Sequence, residues 1–200
     1  DIEWAKDGKT GELFIVQSRP ETVHSLKDKE KRTYKEYTVD SVAKPIITGI
    51  SIGDKVSKGV VRVITDVKKM GDFKKGEILV TKMTDPDWNA ILTMSSAVIT
   101  DEGGKTCHSA IISRELGIPA IVGTKDATKK LKTGDIVTVD CSSGQIGRVL
   151  EGDVPFSVKE YNLEEMPQIN TKITLNIGAP DTAFKASFLP NDGVGLAREE

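Results

Sequence analysis

Short runs of β-branched residues, broken by glycine turns, set the pattern of this chain. Gly53-Asp54 precedes Gly59-Val60-Val61-Arg62-Val63-Ile64, Gly71-Asp72 precedes Glu77-Ile78-Leu79-Val80, and Gly134-Asp135 precedes Ile136-Val137-Thr138-Val139. Runs of this length between Gly-Asp pairs predict strands. No helix is expected between the first two units, so they predict a barrel-like or sandwiched β layer. Helical spacing enters later. Thr84-Asp85-Pro86 offers a cap and a first-turn proline, and Trp88, Ile91 and Leu92 follow at helical spacing. Ala97–Thr100 then reads as a strand, His108–Leu116 as a helix, Ala120–Val122 as a strand and Lys125–Leu131 as a helical turn or two. Gly117, with Pro119 just beyond, is a well-formed helix stop. Strand resumes from Val137 to Val149. The fold class expected is mixed α/β, strands on one side and helices on the other.

The flanks read differently. Residues 1–22 begin as a hairpin: Ile2 and Trp4 on one arm, a turn from Lys6 to Gly11, and Leu13–Gln17 on the return. Residues 23–40 are charge-rich around Lys27–Arg32 and read as a linker ending in an extended segment, Thr33–Val39; His24 is expected there as an exposed histidine. Residues 41–152 form the compact domain. Residues 153–171, with Pro155, Pro167 and Glu164-Glu165, read as a second linker. Residues 172–200 start a new unit, with a strand from Ile173 to Gly178, a helical segment Asp181–Leu189, and Gly193-Val194-Gly195-Leu196 leading to Arg198. The chain opens without Met and stops inside what reads as a motif, so a piece of a larger enzyme is expected.

Composition narrows the function classes. A net charge of -2 with 29% charged residues supplies no basic field, so no nucleic-acid partner is expected. No apolar run reaches transmembrane length, and a cytoplasmic protein without a membrane partner is expected. Cys107 and Cys141 fit no metal-ligand spacing and read as reduced thiols.

The chemistry concentrates at Gly103-Gly104-Lys105-Thr106-Cys107-His108. Two glycines after a strand permit a tight turn or a close backbone approach. His108 in a first helical turn lies where free N–H groups and the helix dipole stabilise an anion. An imidazole so placed can act as a nucleophile that carries a phosphoryl group. Thr106 reads either as an N-cap or as a partner of the imidazole or phosphate. Asp101 and Glu102 read as turn carboxylates, and Arg114 with Glu115 either as a helix-surface pair or as a docking element. A β-rich structural or assembly module with an incidental histidine is the non-enzymatic alternative; the Gly-Gly elbow counts against it.

This stretch resembles the phosphohistidine swivelling domain of the PEP-utilising enzyme family, whose pattern is Gly-Gly-x-Thr-(Cys or Ser)-His-Ala followed by Arg-Glu-Leu-Gly-Ile-Pro-Ala. The match runs through Gly103, Gly104, Thr106, Cys107, His108 and Arg114–Ala120, with Ser109 where Ala is usual. The resemblance implies a β/β/α swivelling domain at 41–152, the end of an ATP-grasp nucleotide-binding domain at 1–22, and the first unit of a PEP/pyruvate-binding (β/α)₈ barrel at 172–200. It implies His108 as the catalytic residue, supported by Gly103, Gly104 and Thr106. It implies ATP-phosphate contacts from Glu3, Gln17 and Arg19, with Glu3 as a ligand of Mg²⁺, and a PEP or pyruvate contact from Arg198. The reaction implied is ATP + pyruvate + water → AMP + phosphoenolpyruvate + phosphate. Pyruvate phosphate dikinase, which uses inorganic phosphate as co-substrate, is the alternative, disfavoured by the Thr-Cys-His form. A homo-oligomer, and a regulatory kinase/phosphatase acting on Thr106, are further expectations of the resemblance.

Overall fold

The strands predicted from the β-branched runs close on themselves. In a computed structural model that describes residues 2–18, 33–39, 44–165, 167, 169–177, 183, 186–187 and 189–197, the chain divides into two compact units, residues 1–27 with 37–157 and residues 28–36 with 158–200.

The first unit begins with a hairpin, β1 (Ile2–Lys6) and β2 (Leu13–Ser18), antiparallel as expected. The Asp7 carboxylate accepts from the N–H groups of Lys9 and Thr10, each at 2.7 Å, and so fixes the turn.

The main body is a closed seven-stranded barrel. Its strands are β4 (Ile47–Ile52), β5 (Val56–Val63), β6 (Ile78–Thr81), β7 (Ala97–Thr100), β8 (Ala120–Val122), β9 (Ile136–Asp140) and β10 (Ile146–Glu151). They follow the order β10-β4-β8-β7-β6-β5-β9. Neighbours from β5 through β8 run parallel; β4, β9 and β10 complete the barrel antiparallel.

Side-chain alternation explains why β6, β7 and β8 are apolar on both faces. Ile78, Val80, Ala97, Ile99 and Ile121 join a cluster with residues from every barrel strand, which fills the interior. The alternate residues Leu79, Val98, Ala120 and Val122 pack with Trp88, Ile91, Leu92 and Ala110 outside. Gly147 faces Gly49 across β10 and β4, and a Cβ on Gly147 would lie 2.7 Å from Ile121 Cγ1. The two glycines leave the room that Ile121 fills.

Of the short helices, α1 (Asn89–Leu92) and α2 (His108–Leu116) cover the outer cluster, whereas α3 (Ala127–Lys130) packs Ala127 into the interior cluster. Trp88 packs as expected, 4% exposed. One expectation fails: a 3₁₀ helix, Val67–Asp72, lies between the first two strand units. Asp66 starts it by accepting from Lys68 N–H at 3.0 Å, a local bond that apolar spacing does not register.

β3 (Thr33–Val39) and β11 (Phe156–Asn162) form a separate two-stranded sheet. In the first unit Tyr37 and Phe156 stack with ring centroids 6.2 Å apart. In the second, Tyr34 and Tyr161 lie 6.1 Å apart and Tyr161 donates to Glu36 at 2.9 Å. The second unit also holds β12 (Leu175–Ile177) and β13 (Val194–Ala197), a parallel pair. His24, most of the helical segment expected at 181–189, Arg19 and Arg198 lie outside the described residues.

Candidate active site

The histidine elbow lies where the parallel strands end. β7 stops at Thr100, and the chain turns through Asp101–Cys107 into α2. Crevices at the carboxyl ends of parallel strands are where α/β sheets hold ligands.

Hydrogen bonds tie this turn to the loop after β8. Thr124 donates to Thr100 O twice, from N–H at 3.0 Å and from Oγ1 at 2.9 Å. Lys125 N–H donates to Asp101 O at 2.8 Å. Asp101 is buried, and its carboxylate accepts from Thr128 N–H at 2.9 Å and from the Thr128 hydroxyl. Asp101 thus holds the start of α3. On the other side Glu102 pairs with Lys82 at 3.2 Å. Lys125 adopts φ 75°, an uncommon left-handed backbone for a non-glycine residue.

The two glycines differ. Gly103 has φ +116°, and a Cβ there would stand 2.7 Å from Cys107 Sγ. Its own carbonyl leaves no room for a Cβ on Gly123, at 2.9 Å. Gly104 faces open space: nothing lies within 4 Å of where its Cβ would be.

α2 starts immediately behind. Its N-cap is Cys107 in extended conformation, and no side chain caps the helix. That corrects one reading of Thr106, which is exposed and one residue too early. Cys107 Sγ instead approaches Ser109 Oγ at 3.1 Å. First-turn N–H groups without a side-chain cap are available to an anion. Ser109, Ala110 and Ser113 form the buried side of the helix. At the far end Gly117 takes the left-handed conformation, and Lys55 Nζ donates to its carbonyl at 2.6 Å. A cation there complements the negative end of the helix dipole.

His108 is the first residue of α2 and is half-buried. Its Nε2 lies 3.1 Å from Asn89 Oδ1. Asn89 is a contact the sequence reading missed. It is exposed and falls on no apolar stripe, and its meeting with His108 depends on how α1 and α2 lie together.

The remaining site residues expected from the sequence lie elsewhere. Glu3 and Gln17 are direct cross-strand partners on β1 and β2, so their side chains project from one face of the hairpin. Among the described residues, no group of three or more His, Cys, Asp and Glu side chains could hold a metal ion. One carboxylate beside an amide still suits Mg²⁺, which is commonly held by one or two carboxylates together with substrate phosphates. Among the described residues, no helix is long and apolar enough to cross a membrane.

Residues 73–144 match the family described as "PEP-utilising enzyme, mobile domain". Residues 1–40 match "Pyruvate phosphate dikinase, AMP/ATP-binding domain". The whole chain aligns with phosphoenolpyruvate synthases: 53% identical to that of Aquifex aeolicus, covering 24% of it, and 51% to that of Escherichia coli, covering 25%. The enzyme of Synechocystis is 50% identical, with 24% of it covered. The chain therefore spans about a quarter of the length of the curated relatives it matches. The resemblance to PEP-utilising enzymes drawn from the histidine motif is shown.

Proposed function

Because the chain is similar to phosphoenolpyruvate synthases from end to end, we propose that it is the phosphoryl-carrying segment of such an enzyme and that His108 carries the group. The observation that supports this most directly is His108 at the first position of a helix with no side-chain cap, behind an elbow whose second glycine faces open space.

In this reading the barrel of residues 41–152 is the swivelling domain. Residues 1–22 end an ATP-grasp domain, residues 172–200 begin a (β/α)₈ barrel, and residues 23–40 and 153–171 connect them. A nitrogen of His108 attacks the β-phosphorus of ATP. The N–P bond forms, the bond from that phosphorus to the oxygen bridging to the α-phosphate breaks, and the electron pair leaves with AMP. The γ-phosphate is released by hydrolysis. The enolate oxygen of pyruvate then takes the phosphoryl group and the N–P bond breaks, giving phosphoenolpyruvate. The histidine thus splits one difficult transfer into two.

The N–H groups opening α2 and the accessible backbone at Gly104 stabilise the phosphoryl oxygens. Thr106, exposed beside them, contacts the phosphate or accepts a regulatory phosphoryl group. Glu3, Gln17 and Arg19 contact the ATP phosphates, Glu3 holds Mg²⁺, and Arg198 contacts phosphoenolpyruvate; Mg²⁺ supplies charge neutralisation when bound. The enzyme is a cytoplasmic homo-oligomer in this reading.

Labelling the whole enzyme with ATP carrying ³²P at the β position tests the proposal. Acid-labile label that disappears in His108→Ala supports it; label retained in that variant overturns it, and no label at all favours a structural module. The description of the family matched by residues 1–40 favours pyruvate phosphate dikinase as a second reading. Phosphate release without pyrophosphate distinguishes the synthase from that alternative.

A further inference from the structure

Cys107 and Ser109 flank His108 in the chain, and their side chains meet around it. On one side Cys107 Sγ fills the space that a side chain at Gly103 would need, 2.7 Å from where that Cβ would stand. On the other it lies 3.1 Å from Ser109 Oγ. Cys107 also packs against the outer cluster. Its backbone is held as well: its N–H donates to Gly104 O at 3.1 Å, and its carbonyl accepts from Ile111 N–H at 3.0 Å. Ser109 is 2% exposed, so its hydroxyl depends on a protein partner, and a buried hydroxyl without one is costly. Cys107 Sγ is that partner. Ser113, one turn further along α2, has a buried hydroxyl with no partner among the described residues.

We propose, on the basis of the carrier reading, that Cys107 is a positioning residue, whose thiol joins the elbow to the first turn of α2 and so fixes where the His108 backbone stands. The imidazole hangs from that backbone, so the reach to phosphorus depends on it whichever ring nitrogen attacks. Small misplacements of a reacting group are costly in rate. The thiol acts through the backbone and does not itself touch the phosphoryl group. The dependence is specific to this chain's pair of residues: Ser109 stands where the family pattern has Ala, and its hydroxyl is what requires a polar side chain at position 107. With Ala at 109 that requirement disappears.

Labelling the whole enzyme with ATP carrying ³²P at the β position tests this, with rate and half-saturating ATP read for each variant. Cys107→Ala should slow labelling about 3- to 10-fold, as the loss of one buried hydrogen bond implies, at unchanged half-saturating ATP. Cys107→Ser, which keeps a group able to pair with Ser109, should restore the rate. In a Ser109→Ala background the further change Cys107→Ala should slow labelling less than about 2-fold, because no buried hydroxyl is left unpaired. Equal slowing in both backgrounds, Cys107→Ser as slow as Cys107→Ala, or Cys107→Ala at the parent rate overturns the proposal. Failure of Cys107→Ala to fold, read by circular dichroism, makes the thiol a structural group and overturns its positioning role. No label in the unsubstituted enzyme overturns the carrier reading and this proposal with it, whereas labelled parent enzyme with unaffected variants overturns this proposal alone.

Discussion

The Asp101 carboxylate holds Thr128 through two bonds, accepting from its N–H at 2.9 Å and from its hydroxyl. This contact joins the elbow before the histidine helix to the first turn of α3. Sequence alone offers Asp101 as a carboxylate near the chemistry; its buried position and its partners make it a helix cap from outside the helix. Asp101→Ala leaves the N–H and hydroxyl of Thr128 without this acceptor. The expected cost is about 1–3 kcal/mol of folding stability, read as a lower urea midpoint at unchanged slope. A midpoint within error of the parent would mean that the cap contributes nothing.

Gly103 and Gly104 are predicted to fail differently. At Gly103 a side chain meets both a positive φ of +116° and Cys107 Sγ at 2.7 Å. Gly103→Ala should cost about 1–3 kcal/mol of stability and lower labelling of His108 with it. At Gly104 the space is open, so Gly104→Ala should stay within about 0.5 kcal/mol of the parent. Any fall in labelling of Gly104→Ala would then come from the approach of phosphate to the backbone. Denaturation and labelling measured on both variants separate the two cases; equal stability losses would contradict the difference in space.

Local chemistry made most elements legible before any coordinates. Trp88, Ile91 and Leu92 fell at helical spacing, and Gly117 stopped the histidine helix where it does stop. The β-branched runs at 60–64, 78–80 and 136–139 became strands. Closure was not legible, because it rests on pairings such as Arg148 with Thr48 and Val60 with Ile136, which join residues far apart in the chain. The pattern therefore left barrel and sandwich open. Thr106 misled as a cap because residue type favours Thr at that position, whereas backbone conformation puts the cap at Cys107. Asn89 carried no sequence signal at all: an exposed polar residue on a short helix acquires meaning only from what faces it.

Acid should weaken the fold in part through Asp140. Burial alone would raise its pKa, but the Ser142 hydroxyl and N–H and the Arg148 guanidinium outweigh this and hold it below the usual aspartate value. Arg148 Nε donates to the carboxylate at 3.1 Å, and the Ser142 hydroxyl donates at 2.6 Å. A carboxylate whose pKa is depressed on folding contributes stability that is fully present above its unfolded value of about 3.9 and is lost as pH falls through the lower folded value. Stability of the parent should therefore hold through neutral pH and drop at pH below about 4. Asp140→Asn should be less stable than the parent at pH 7, and the gap should narrow on acidification. A gap that stays constant down to the lowest pH at which the fold survives would exclude Asp140 as the source.

The two thiols should report on different parts of the barrel. Cys141 is 1% exposed in the interior cluster, and its Sγ donates to Ala120 O at 3.3 Å. Burial pushes its pKa up to about 11, so at pH 8 it is a thiol without access to reagent. Because the thiolate is the reactive form, both effects suppress alkylation. A pKa raised on folding also means that its contribution to stability is complete below the unfolded value of about 8.5, and is lost as pH rises through about 11. Cys107 is half-buried at the mouth of the histidine helix, with Ser109 Oγ 3.1 Å away. Iodoacetamide at pH 8 should therefore modify Cys107 in the folded chain and reach Cys141 only on unfolding, which peptide mapping of the products can read. Modification of Cys107 should also slow labelling of His108, because it adds a carboxamidomethyl group to the N-cap residue directly before the histidine. Rapid modification of Cys141 in the folded chain would mean that the barrel opens far more readily than its packed interior implies.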